Sequence, residues 1–258
     1  DEALAVLKLC SGFYTMPERA YKLFDRYKEI GKNVRRLYAA RDYSGLETLL
    51  RAQIQIEMEL DRLWQNTFGG LTVSALYDGD GIAPWETVMT IEGPPQHFAH
   101  LESVYLGILA RRTLVATNVR RVVEAANGKP ILFFADRFDH YSNQPGDGYA
   151  ATVGGTSGVA TDIMGEWWGK KGSGTMPHAL IACYGGDTVA ATLAFAKDYP
   201  DVPCISLVDF HNDCAKTALE VADAFRAEGL TLWGVRLDTS ENMIDKSIIR
   251  NSQMGSEK

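Results

Sequence analysis

An α/β fold with a parallel sheet, preceded by a helical N-terminal region, is the class this sequence predicts, on three observations. Apolar residues recur at intervals of three and four from Ala3 to about Gln65, the period of helices that bury one face. Beyond residue 127, short continuous apolar runs alternate with amphipathic stretches, and strands apolar throughout belong to parallel sheets covered on both faces. A length of 258 residues with 46% hydrophobic content is enough for one large core, or for a modest core beside a smaller one.

The first region, clearest in "LETLLRAQIQIEMELDRLW", reads as helices separated by a loop near Tyr43 to Gly45, with its charges on a solvated face. Leu71 to Tyr77 and Glu86 to Ile91 are short β-rich runs flanking the turn "DGDGIAP", which predicts a small sheet outside the main fold. The "DGDG" is too short for a calcium loop and lacks its closing Glu, so turn chemistry accounts for it. After "EGPP", His97 to about Ala126 is one long helical pattern. Three strands follow, "PILFFA" (Pro130 to Ala135), "PCISLVDF" (Pro203 to Phe210) and "TLWGVRLD" (Thr231 to Asp238), with helices in "GDTVAATLAFAKDYP" and "AKTALEVADAFRAEG".

Charge and composition exclude whole classes of function. With 26 Lys+Arg against 33 Asp+Glu the net charge is -7, so nucleic-acid binding through general basic attraction is not expected. No apolar run reaches the roughly 18 residues a membrane helix needs, and the acidic start lacks the basic opening of a signal peptide. Four cysteines without a CxxC pair, three of them in segments that read as buried, suit a reducing compartment. The expectation is a cytoplasmic protein with neither membrane nor nucleic-acid partner.

In parallel α/β folds the working groups gather at the carboxyl ends of strands. Here the first strand ends in Arg137, Asp139 and His140, the second in Asp209, His211 and Asp213, the third in Arg236, Asp238 and Ser240. One such group reads equally well as a surface ion pair, and three in succession favour a site. Between the first two strands, "VGGTSGVATD" supplies Gly154, Gly155 and Gly158, whose N–H groups could meet an anion beside the hydroxyls of Thr156 and Ser157; an ordinary helix start is the competing reading. His178 in "GTMPHAL" is by itself a structural histidine, but its neighbours supply what a base or a nucleophile toward phosphorus needs, with Asp209 as the expected orienting carboxylate. His97 and His100 have metal-ligand spacing without a third ligand and read as interfacial or capping groups. Trp167 and Trp168 read as packing or oligomer contacts, and Arg111 and Arg112 as intersubunit or surface groups.

Taken together, "EGPP", "LESVYLGILARRTLVATNVRRV", "FADRFDHY", "GGTSGVATD", "GTMPHAL", "SLVDFHND" and "GVRLDTSEN" resemble, in colinear order from about Leu71 to Asp245, the nicotinate phosphoribosyltransferases among the type II phosphoribosyltransferases. The resemblance implies an irregular α/β barrel, here incomplete, beside an N-terminal helical and α/β sandwich domain. It divides the chain into a partial sandwich at 1–95, a connecting helix at 96–126 and a barrel at 127–258. The implied activity joins nicotinate to the ribose of phosphoribosyl pyrophosphate (PRPP) in NAD salvage. ATP is hydrolysed through a transiently phosphorylated histidine, Mg²⁺ accompanies the phosphates, and two copies form a homodimer with a shared active site.

Residue by residue, the resemblance carries the phosphorylated histidine onto His178 and its carboxylate onto Asp209. Arg137 resembles the arginine of the pyridine and phosphate site, Phe134 the stacking position, and Thr156 and Ser157 the base-binding turn. Nicotinamide-using relatives carry an acidic residue where Ser157 stands; a neutral hydroxyl suits a carboxylate substrate, which an Asp would repel. Arg236 and Asp238 resemble the pair at the PRPP ribose and diphosphate, with Asp238 reaching a hydroxyl or the metal. The family's glycine-rich strand ends beyond "GVRLD" and its N-terminal strand with a base-pocket aromatic are not evident, so the chain reads as truncated at both termini. A nicotinamide-using relative and a non-catalytic type II homologue that binds a nucleotide or a partner protein are the alternative readings.

Overall fold

The computed structural model describes residues 1–248. The chain divides into two compact units, Asp1–Gly172 and Ser173–Lys258; the last ten residues of the expected barrel region, 249–258, lie outside the described residues.

In the first unit, helix α1 (Glu2–Cys10) leads into strand β1 (Gly12–Tyr14). Pro17 then opens helix α2 (Pro17–Ala39), where its fixed φ and missing N–H cost nothing. A turn returns the chain through α3 (Leu46–Leu63) into β2 (Trp64–Asn66). The helical period does its work here: Ala20, Leu23 and Ile30 of α2 bury against Ile56, Leu60 and Leu63 of α3, with Tyr14, Phe24 and Tyr27 at the margin. The antiparallel β1–β2 ribbon, with Gly12 opposite Asn66, was not expected from sequence, because three-residue strands are too short to show an alternation. The small antiparallel sheet is present as β3 (Thr72–Ala75) paired with β4 (Met89–Glu92).

The long helix α4 spans Glu102–Ala125. Then come β5 (Leu132–Phe133), helix α5 (Gln144–Val153), β6 (Gly158–Val159) and the short α6 (Asp162–Gly165). β5 and β6 pair in parallel, and Val159, Ala160 and Met164 bury beneath them against Phe133, Phe134 and Trp168.

The second unit runs α7 (His178–Cys183), α8 (Thr188–Asp198), β7 (Ile205–Leu207), α9 (Cys214–Ala227) and β8 (Gly234–Arg236). Asp187 caps α8 by accepting from the Ala190 N–H at 2.9 Å. β7 and β8 are parallel, with Leu207 opposite Arg236, joined through α9 as a parallel pair requires. Val221 and Phe225 of α9 bury with Ala196 and Cys204; Met176, Ile181, Ala191 and Leu207 form a second cluster. The Thr192 and Ser206 hydroxyls, both fully buried, satisfy each other at 2.9 Å.

The α/β class and the parallel pairing hold. Each strand has a single partner among the described residues, so the expected six- to eight-residue strands shrink to two or three, and these pairings outline neither a closed barrel nor a two-sheet sandwich. Cys204 is buried and Cys214 half-buried, whereas Cys183 lies exposed on α7, a correction to three buried cysteines. No described helix is long and apolar enough to cross a membrane.

Candidate functional site

The ends of β7 and β8 and the start of α7 converge on His178. Val208 is fully buried and Asp209 nearly so, which fixes the Asp209 side chain at the strand's end with 4% of it exposed. Pro177, in extended conformation, precedes the helix and makes His178 its first residue. The imidazole Nε2 lies 2.9 Å from Asp209 Oδ1, and on its other side Nδ1 lies 3.9 Å from Asp238 Oδ2. Arg236 Nη1 lies 2.9 Å from the same Asp238 oxygen, an ion pair, while its buried Nε has no partner among the described residues. The Phe210 ring stands 6.4 Å from the imidazole, centroid to centroid. Three of the predicted residues therefore surround the fourth.

This geometry assigns the tautomer. A carboxylate only accepts, so Nε2 carries the proton given to Asp209, and in the neutral ring Nδ1 keeps its lone pair. That nitrogen belongs to a ring 43% exposed, so it can be reached, while the buried Asp209 holds the ring from behind. The arrangement is that of an oriented nucleophile or base, with an arginine and a second carboxylate beside the free nitrogen.

Sequence reasoning missed what holds this constellation together. Asp245, beyond β8, accepts from the Cys214 N–H at 2.9 Å and from the Ser247 N–H at 2.8 Å. Asn212 donates to the Ile244 carbonyl at 2.8 Å, and the Lys246 ammonium to the His211 carbonyl at 3.0 Å. The segment after β8 is thus stitched to the turn that carries Asp209. Hydrogen bonds from the Cys214 thiol and from Ser247 hold the Asp245 carboxyl well below the usual range. Burial, then the bond to Asp245, pushes the Cys214 thiol up to about 11. No local pattern announces this clasp, because its two sides are 31 or more positions apart.

The first unit holds the other predicted residues. Phe134 is half-buried against the Val159 cluster, and Arg137 is exposed and makes no salt bridge among the described residues. The turn after α5 is not the expected anion cradle. Its N–H groups are spent internally, Gly154 on Ala150, Gly155 on Thr152, Thr156 on Ala151 and Ser157 on Ile131. The Thr156 hydroxyl, buried, lies 2.7 Å from the Ile131 carbonyl, so its single proton is committed to backbone. Ser157 is exposed.

Arg111 and Arg112 are half-buried and ion-paired rather than freely solvated surface groups. Asp147, whose side chain is 8% exposed, accepts from Arg111 Nε at 2.9 Å and Nη2 at 2.7 Å and from Arg112 Nη1 at 2.6 Å. Arg112 also pairs with Glu2 and Arg111 with Asp139. The His140 N–H, then Arg111, lowers the Asp139 carboxyl below its ordinary range. His97 stacks on Phe13 and His100 bonds the Cys10 carbonyl at 3.2 Å, a packing role for both. Trp168 is packed, its N–H donating to the Met164 carbonyl at 2.9 Å.

No family model matches the chain. A nicotinate phosphoribosyltransferase of Bacillus subtilis (strain 168) is 28% identical over 171 residues, which are 65% of this chain and 34% of that protein. Among solved structures, nicotinate-nucleotide pyrophosphorylase from Pyrococcus furiosus superposes with a TM-score of 0.62 at 36% identity, covering 67% of this chain and 44% of that one. Human nicotinic acid phosphoribosyltransferase superposes at 0.56 with 21% identity, covering 66% and 44%, a likeness of fold alone. The chain spans about a third of the length of the curated relatives it matches.

Proposed function

The chain belongs to the nicotinate phosphoribosyltransferase family, and on that premise we propose that it joins nicotinate to PRPP, giving nicotinate mononucleotide and pyrophosphate in NAD salvage, with ATP hydrolysis through a phosphohistidine at His178. The observation that carries this reading is the His178 ring held at 2.9 Å by buried Asp209, with its free nitrogen beside Asp238 and Arg236.

In the phosphorylation step, the Nδ1 lone pair forms a bond to the γ-phosphorus of ATP as the bond to the bridging oxygen breaks, and ADP leaves with that electron pair. Asp209 stabilises the positive charge that the ring acquires. Water later takes the phosphoryl group from nitrogen, returning His178 and releasing phosphate. In the transfer step, C1 of the ribose loses pyrophosphate and gains the pyridine nitrogen. Negative charge grows on the leaving diphosphate, which Arg236 stabilises, and positioning supplies much of the rest. Arg137 holds phosphate, Phe134 stacks the pyridine, and Ser157 offers a neutral hydroxyl to the nicotinate carboxylate. Thr156 shapes the turn through its backbone bond, so its expected role as a hydroxyl donor passes to Ser157.

Asp238 fits a Mg²⁺ that accompanies PRPP: it is 45% exposed, and Mg²⁺ typically takes one or two carboxylates, with substrate phosphates and water completing the shell. Among the described residues no group of three or more His, Cys, Asp or Glu could hold a metal alone. When bound, the ion neutralises diphosphate charge. We extend the proposal to an irregular barrel built on the parallel pairs, with the sandwich at 1–95 and connecting helix at 96–126, and to a cytoplasmic homodimer with a shared site.

Incubating the complete gene product with γ-labelled ATP tests the reading. An acid-labile label that disappears in His178→Ala is expected, and a label that persists in that variant refutes the assignment. Turnover with each base in parallel separates nicotinate from nicotinamide; faster turnover of nicotinamide would overturn the substrate.

A further inference from the structure

Arg111 sits on α4, away from any strand end, yet it connects the buried Asp147 to the loop that carries Arg137. Its Nε and Nη2 grip Asp147 at 2.9 and 2.7 Å, and the same Nη2 reaches Asp139 at 2.5 Å. Asp139 in turn accepts from the His140 N–H at 2.6 Å. On the other side of Arg137, the Asp136 carbonyl accepts from Gln144 Nε2 at 2.8 Å. Arg137 thus stands between two tethers, one running back to α5 and the other through Arg111 to α4.

We infer that Arg111 is a positioning residue: anchored by Asp147, it fixes the outer end of the 136–139 segment and so aims the exposed Arg137 at a phosphate-bearing substrate. The inference rests on the reading of Arg137 as the phosphate arginine. The requirement is for an arginine, because its planar fork grips Asp147 through two nitrogens while Nη2 also reaches Asp139, a set of three fixed directions that a compact ammonium does not reproduce. Asp147 is also held by Arg112, whose Nη1 donates to the same Oδ1 that takes Arg111 Nε, so the anchor does not move with the loop. A loop arginine without such a strut would sample many orientations and lose that freedom on binding, a cost that pre-organisation removes.

The test uses the complete gene product with Arg111→Lys, and Asp139→Asn as a second variant that leaves the Arg111–Asp147 grip intact. Amide exchange at His140 and Asn143 reads the loop directly, and PRPP affinity by calorimetry reads Arg137. Expected are an acceleration of exchange and a weakening of PRPP binding, each about fivefold, the size of a partly exposed ion pair. In the Arg137→Ala background neither change should weaken PRPP further, since the group being aimed is gone. Unchanged exchange in both variants, or additive losses in the double variants, overturns the inference. If exchange responds as expected while the unmodified protein binds no PRPP, the strut stands and the proposed substrate falls.

Discussion

Replacing Asp209 by Asn removes one negative charge from behind the His178 ring while leaving the side chain's shape almost unchanged. The carboxylate is 4% exposed and 2.9 Å from Nε2, so water cannot stand in for it. A hydrogen bond to a charged group contributes about 1.5–3 kcal/mol against about 0.5–1.5 for a neutral one, a difference of roughly 1–1.5 kcal/mol if the amide turns its carbonyl to the ring. At 1.36 kcal/mol per tenfold, phosphoryl transfer to His178 then slows by about 5- to 13-fold. If the amide turns its NH₂ inward, Nε2 must accept, the proton moves to Nδ1 and the attacking lone pair is lost, a cost on the order of 10²-fold or more. The initial rate of acid-labile labelling from γ-labelled ATP gives the number, and ¹⁵N shifts of the imidazole distinguish the two orientations. Labelling of Asp209→Asn at the unaltered rate would refute the argument that this carboxylate orients and charges the nucleophile.

Three further outcomes follow from the geometry. Asp147→Ala removes the shared carboxylate of Arg111 and Arg112, which keep Asp139 and Glu2 as partners, and should destabilise the protein by about 1–3 kcal/mol in urea unfolding; an unchanged unfolding free energy would mean that the cluster behaves as if solvated. A Cβ at Gly148 would lie 2.1 Å from the Met164 carbonyl oxygen, so Gly148→Ala should cost at least about 1–3 kcal/mol. Gly107, on α4 with open space around it, should instead gain about 0.5–1 kcal/mol on Gly107→Ala; thermal midpoints that move in the same direction would contradict the packing. The Cys214 thiol, raised from an ordinary value near 9.0 to about 11, should alkylate slowly at pH 8, and Asp245→Asn should speed it. Because the folded thiol keeps its proton, its contribution to stability is present below pH 9.0 and is lost as pH rises toward about 11, measurable by urea unfolding along a pH series.

Periodicity made α2, α3, α8 and α9 legible, because a helix that buries one face must repeat its apolar residues. The strand-end rule likewise led to Asp209, Arg236 and Asp238, and the neighbouring segments with the family resemblance to His178; the structure brings the four together through a hydrogen bond and ion pairs. The same reasoning left the turn at Gly154 to Ser157 open between two readings. Glycines and hydroxyls describe an anion site and a tight internal turn equally well, and only the partners of its N–H groups tell them apart.

By itself, then, the sequence determined roughly where the longer helices and the apolar strands lie, which residue types stand at the strand ends and which family the motifs resemble. Tertiary structure decided which of those groups meet. Arg112 and Glu2 are 110 positions apart, and Asp245 caps a helix that starts 31 positions before it. An ion pair or hydrogen bond depends steeply on distance and on exclusion of water, and neither is a property of a residue's neighbours in the chain. The same arginine is a solvated surface group or a half-buried strut according to what the fold places beside it.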